Sequence, residues 1–248
     1  MANWNDPQPP RTGFGASPVL NGEAMGKGAV YDQGLRKHML SIYNYMASGV
    51  LLSGIVAMLF ASSGMAAQVM ATPLKWLIIL APLGFVFGMS LGANRMQTAT
   101  LQALFWGFCT VMGLSLSTIF LVFTGASIAT TFFATAGAFA GLSLVGYTTK
   151  KNLSAMGSFM AMGVIGLIIA MVLNMFLQSS GLNLAISALG VLIFAGLTAW
   201  DTQRLKMQYF ELAGSEFAGK AIVLGALTLY LDFINMFQFM LSFLGSRE

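Results

Sequence analysis

Two aspartates lie where the core of a bilayer is expected. Asp201 ends the apolar run LGVLIFAGLTAW, and Asp232 sits inside ALTLYLDFINMFQFML. An ionised carboxylate in the membrane centre costs about 2.5–3.5 kcal/mol on insertion scales, so intramembrane acids read first as functional groups. The chain has 8 Asp and Glu in all, and these two are the ones in strongly apolar surroundings. Two carboxylates a few ångströms apart in low dielectric resist double ionisation and share a proton. They then titrate as a pair. Such a pair is a proton-controlled switch. It is also half of a hard-cation site, because Ca2+ takes carboxylate and carbonyl oxygens. Asn235, one turn beyond Asp232, is placed to add an amide oxygen to that calcium site. Arg95, at the end of the second span, is a candidate latch on a carboxylate, and a topology anchor accounts for it equally well. A structural role also stays open, with each aspartate capping backbone or pairing with Arg95 or Arg204.

The elements that must hold these groups follow from composition. The 248 residues are 57% hydrophobic and 8% charged, against about 25% charged in a soluble domain. A single water-soluble core cannot hide that much apolar surface, so the expectation is an all-α polytopic membrane protein. A span needs about 20 apolar residues. Seven segments qualify, at approximately 39–62, 75–93, 99–123, 127–147, 155–178, 183–205 and 219–244. Residues 1–35, rich in Gly, Pro and Asn, read as a disordered cytoplasmic tail, leaving 36–248 as the transmembrane domain.

Orientation comes from the basic residues. With the N-terminus inside, the inner segments hold Arg11, Lys27, Arg36, Lys37, Arg95, Lys150, Lys151, Arg204, Lys206 and Lys220. The outer segments hold only Lys75 and Arg247. Lys and Arg accumulate in cytoplasmic loops, so the bias predicts an inner N-terminus and an outer C-terminus. The same placement at the ends of apolar runs argues against nucleic-acid binding, despite a pI near 9.3. His38 is the only histidine and Cys109 the only cysteine, which leaves almost no material for zinc sites, catalytic triads or disulfides.

Spans six and seven are joined by a short polar connection around AGSEFAGK. Level residues in an antiparallel pair have numbers with a constant sum. For Asp201 and Asp232 the midpoint falls between Glu216 and Phe217, inside that connection. The two carboxylates are therefore expected at similar depth on neighbouring helices. Lys220 lies twelve residues before Asp232, about 18 Å along a helix, so Asp232 is well below the surface. The GxxxG strings at Gly84, Gly88 and Gly92, and at Gly137 and Gly141, are expected to mark close helix packing. Asn174 and Gln178 in span five are expected to hydrogen-bond between helices.

At these residues the sequence resembles the Bax-inhibitor family (the transmembrane Bax inhibitor motif group), and its short tail and compact size suggest a bacterial member in the plasma (inner) membrane. The most specific string is LTLYLDFINMF, residues 227–237. AWDTQRLK (199–206) and TTKKNLSAMGSF (148–159) support it, and the similarity runs in order over about 30–246. The resemblance implies a seven-helix fold with the last span central, and a pH-sensitive calcium leak with Asp201 and Asp232 as its sensor. It implies an arginine latch, matched loosely by Arg95, whose release would move span two away from Asp201. Relatives often read KKDLS where this chain has Asn152, so any cation contact by an acid there is lost or weaker.

The leading expectation is a passive pH-gated cation channel in the lipid bilayer, with calcium as the permeant or bound ion, no other cofactor and no enzymatic activity. The alternative is a non-transporting regulator that binds a membrane protease or another membrane partner. An intramembrane aspartyl protease would use the same two acids, but Leu229, Tyr230 and Leu231 crowd the second one. A proton-coupled transporter is disfavoured because no internal repeat is visible.

Overall fold

The computed structural model describes residues 22–246, with side chains from residue 33 onward. The first 21 residues of the expected tail lie outside the described residues, and from Gly22 the backbone is helical. The elements are α1 (Gly22–Ser62), α2 (Met65–Met70), α3 (Leu74–Gly92), α4 (Thr98–Leu116), a 3-10 turn (Ser117–Leu121), α5 (Gly125–Thr148), α6 (Ser154–Leu177), α7 (Ser180–Leu212) and α8 (Ala218–Leu244). No strand occurs among the described residues. Seven of these stretches are long and apolar enough to cross a membrane: Gln33–Ser62, Leu74–Gly92, Thr98–Leu121, Gly125–Thr148, Ser154–Leu177, Ser180–Leu212 and Ala218–Leu244. The fold is that of a polytopic all-α membrane protein.

Helix ends follow local chemistry. Thr124 accepts a hydrogen bond from Ser127 N (3.3 Å) and Ser179 one from Leu182 N (3.3 Å), each supplying an acceptor to orphan amides at a helix start. The α6 helix ends at Gln178, which turns to φ 49°. Asn174 Oδ1 accepts from Ser179 N at 3.0 Å. Asn174 and Gln178 therefore close their own helix rather than bridging to a neighbour, contrary to expectation. The bilayer does not force an interhelical partner on a group that is satisfied locally at the membrane edge.

The expected span boundaries agree with these to within three residues, except at two places. The first span starts at Gln33 rather than 39, and the sixth continues to Leu212 rather than 205. At 33 residues, α7 is about 50 Å long against a hydrocarbon core of about 30 Å. Its last turns therefore emerge, and Lys206, Gln208 and Glu211, beyond the expected end, ride on helix.

The last helix is central. In the most apolar stretch of α8, 61% of residues are buried inside the protein, against 6–39% in the other spans. It packs on α7, α5, α4 and α3. One side of α8 is tied to α1 and α4 by Tyr230, whose hydroxyl lies 2.6 Å from Ser53 Oγ. Ser53 in turn donates to the Cys109 carbonyl at 2.7 Å. Phe105 and Phe108 meet the Tyr230 ring edge-on at 6.4 and 5.1 Å, the geometry aromatic quadrupoles favour. At the other extreme, α6 exposes Phe159, Met162, Ile165 and Ile169, which acyl chains would solvate.

The close approaches use glycines other than those expected. A Cβ at Gly84, Gly88, Gly137 or Gly141 would meet nothing, and one at Gly92 would meet only Met96 of the same connection. The GxxxG strings thus face outward, because a glycine without a facing neighbour creates no groove for a partner. Gly113 instead lies against Ser53 O and Val56 of α1, at 2.7 and 2.8 Å from a built Cβ. Gly49 lies against Cys109 and Phe105 at 2.8 and 2.9 Å.

Candidate functional site: a buried carboxyl pair between the last two helices

The register of α7 on α8 is set by three contacts. Ser187 Oγ donates to Ser242 Oγ at 2.9 Å. Gly190 leaves room for the Phe239 ring, and Gly225 for Leu205, whose Cδ2 is 2.9 Å from a built Cβ. The numbers in these pairs keep a nearly constant sum, and that of Asp201 with Asp232 lies within about one helical turn of it. The sequence-derived expectation that the two acids meet at one depth holds.

Each residue of the string 199–206 does something identifiable. The Ala199 carbonyl packs where a Cβ at Gly146 of α5 would fall, and Trp200 occupies the space left by Gly157 of α6. Substituting either glycine would push α7 away. Thr202 Oγ1 lies 3.2 Å from Ser143 Oγ. Gln203 brackets the α5–α6 connection, donating to Lys151 O at 2.8 Å and accepting from Leu153 N at 2.9 Å. Lys206 donates to Tyr147 O at 2.8 Å at the carbonyl end of α5, where a cation meets the helix dipole favourably. Of these, Gln203, Lys206, Gly146 and Gly157 carry no site role in the sequence reading. The available signal was a run of polar residues, Asp201 to Arg204 and Lys206, closing an otherwise apolar helix.

Between these anchors Asp201 turns toward α8. Both aspartates are 4% exposed, and their carboxyl groups lie within hydrogen-bonding reach of one another. Two fully ionised carboxylates have no donor to offer each other, so this contact needs one shared proton. Asp201 Oδ1 and Asp232 Oδ2 are buried and accept no aligned hydrogen bond. The charge on Asp201 is met by Arg204, one turn along the same helix, whose Nη2 lies 2.6 Å from Oδ1 as an ion pair. Its side chain is 47% exposed and its guanidinium stacks 4.7 Å over the Trp200 ring. Arg204 therefore runs from the edge of the protein to the pair.

The other two proposed site residues are placed differently. Arg95 is exposed in the turn after α3 and makes no ion pair with either aspartate. The α3 end instead offers α8 its Ala93 carbonyl, which accepts from Lys220 Nζ at 3.1 Å. Asn235 donates its amide to Leu231 O of its own helix at 2.8 Å and does not join the pair. Among the described residues no third His, Cys, Asp or Glu completes a metal cluster. A calcium ion at the pair would draw its remaining oxygens from water or backbone.

The family model described as inhibitor of apoptosis-promoting Bax1 matches residues 35–248. The uncharacterized protein RP147 of Rickettsia prowazekii is 45% identical over 223 residues, covering 90% of this chain and 94% of its own. An uncharacterized protein of Caulobacter vibrioides is 46% identical over 229 residues, covering 88% and 91%. The inner membrane protein YbhL of Escherichia coli K12 is 40% identical over 219 residues, covering 87% and 94%. With a family model matched over residues 35–248 and relatives 40–46% identical across most of both chains, the chain belongs to the Bax inhibitor family.

Proposed function

We propose that the protein is a passive cation leak, with calcium favoured, gated by the proton that Asp201 and Asp232 share. The observation that carries this reading is the pair itself: two buried carboxyl groups in mutual contact, each with an oxygen that lacks an aligned donor. Removing the shared proton leaves two like charges side by side in a buried site. A divalent cation relieves that repulsion, and parting of the helices relieves it too. Rising pH then opens or loads the path, and falling pH restores the bridge and closes it. No catalytic turnover belongs to this reading.

The site also suggests an orientation. The hydrogen bonds of Lys220, Gln203 and Lys206 gather the connections 93–97, 149–153 and 213–217 at one end. Arg95, Lys150, Lys151, Arg204, Lys206 and Lys220 cluster there, so we assign that end to the cytoplasm. The similarity to YbhL, an inner membrane protein, supports a bacterial inner membrane.

Purified protein in calcium-dye liposomes tests the proposal. Wild type is expected to leak faster as pH rises, and Asp232→Asn to lose that pH dependence. Asp201→Asn is expected to shift the same titration. A tight wild type would favour a non-transporting regulator of a membrane partner, and a normal pH response in Asp232→Asn would remove the sensor.

A further inference from the structure

A cleft of about 460 Å³ opens between the emerging ends of α7 and α8, lined by Arg204, Leu205, Gln208, Glu211, Leu224, Gly225 and Thr228. Its polar groups continue the face on which the pair lies. On α7, Asp201, Arg204, Gln208 and Glu211 are spaced three, four and three residues apart, which keeps them on one side of a helix. On α8, Gly225, Thr228 and Asp232 do the same. Glu211, exposed, is ten residues or about 15 Å from Asp201. Arg204 closes the cleft's inner end, with one side toward the opening and the other on Asp201 Oδ1. Behind it lie the buried oxygens that accept no aligned hydrogen bond.

The dimensions suit a particular guest. A calcium ion with 6–8 oxygen ligands, each a water of about 30 Å³, occupies roughly 200–250 Å³, so it enters the cleft without shedding its shell. We propose that this cleft is the vestibule of a hydrated divalent cation, in which Glu211 recruits the ion and Arg204 is the plug that the ion displaces from Asp201. The role of the plug rests on the leak reading above; the recruitment of the ion does not. Arg204 keeps the vestibule from being a simple acid cluster. While it remains on Asp201 its charge repels a second cation, and Trp200 supplies the surface along which it swings aside.

The test separates the two. In the full chain, whose single native cysteine is buried, a thiol introduced by Gln208→Cys is expected to react with methanethiosulfonate reagents. A cationic reagent should outpace a neutral one, and millimolar Ca2+ should slow both. Adding Glu211→Gln should reduce the cationic-to-neutral ratio about tenfold at low salt and abolish the calcium protection, whereas Glu211→Asp should keep both. An inert thiol, or a ratio indifferent to Glu211→Gln, overturns the vestibule. In liposomes, Glu211→Gln should raise the half-saturating calcium about tenfold without lowering the maximal leak, and Arg204→Gln should raise the leak several-fold at sub-saturating calcium and high pH, where the shared proton no longer closes the path. An unchanged leak in Arg204→Gln overturns the plug. Calcium protection of the thiol in a protein that does not leak would refute the leak reading while upholding the recruitment site.

Discussion

Asp201 and Asp232 were visible in the sequence because an acid inside an apolar run is too costly to be incidental. Their common depth was visible because an antiparallel register is nearly fixed by the short connection between α7 and α8. Arg204 entered the sequence reading only as a structural partner for an aspartate, alongside Arg95, and that pairing with Asp201 is present. Its i, i+3 spacing from Asp201 is common on helix surfaces, and Arg95 sits at a span end that looks equivalent on paper. Only the direction of the side chains separates them: Arg204 folds back over Trp200 onto Asp201, while Arg95 points out from a turn. Tyr230, two residues before Asp232, has no chemistry to announce it, yet its hydroxyl ties α8 to Ser53. Tyr230→Phe is expected to cost about 0.5–1.5 kcal/mol, read as a lower unfolding midpoint in detergent. The pH response of the leak should survive, since the hydroxyl does not touch the pair.

Helices were legible at the element scale; the surfaces they press together were not. Gly84, Gly88, Gly137 and Gly141 have the spacing of a packing motif, but spacing does not tell which neighbour faces it. The working glycines, Gly146 and Gly157, stand alone in the sequence and are defined by what fills their space, the Ala199 carbonyl and the Trp200 ring. Gly157→Leu is therefore expected to destabilise the protein by about 1–3 kcal/mol through overpacking. Gly137→Leu should remain within about 0.5 kcal/mol of wild type; chemical denaturation in one detergent compares them. Gln203→Leu removes both hydrogen bonds that bracket the α5–α6 connection and leaves the Lys151 carbonyl and Leu153 amide to find water. Faster proteolytic nicking within residues 149–153 is the expected signature, and unchanged nicking would mean that the loop holds without Gln203.

Across the whole molecule, hydropathy counted the spans correctly because backbone in lipid must satisfy itself within each helix. The centrality of α8 came from family likeness and not from its composition, since its apolar content resembles that of its neighbours. What distinguishes α8 is that its buried positions lie on several sides, from Tyr230 to Asp232 to Leu241. The far ends of α7 and α8 are held by Ser187 on Ser242 and by Phe239 seated over Gly190. Two rods riveted near one tip and joined through residues 213–217 at the other behave as a bow: they part only between the two, where Asp201 meets Asp232. A disulfide formed by Ser187→Cys with Ser242→Cys should therefore leave proton-dependent calcium release in liposomes at wild-type speed. If that staple arrests release, the rods slide or twist along their whole length instead of bowing apart at the acid pair.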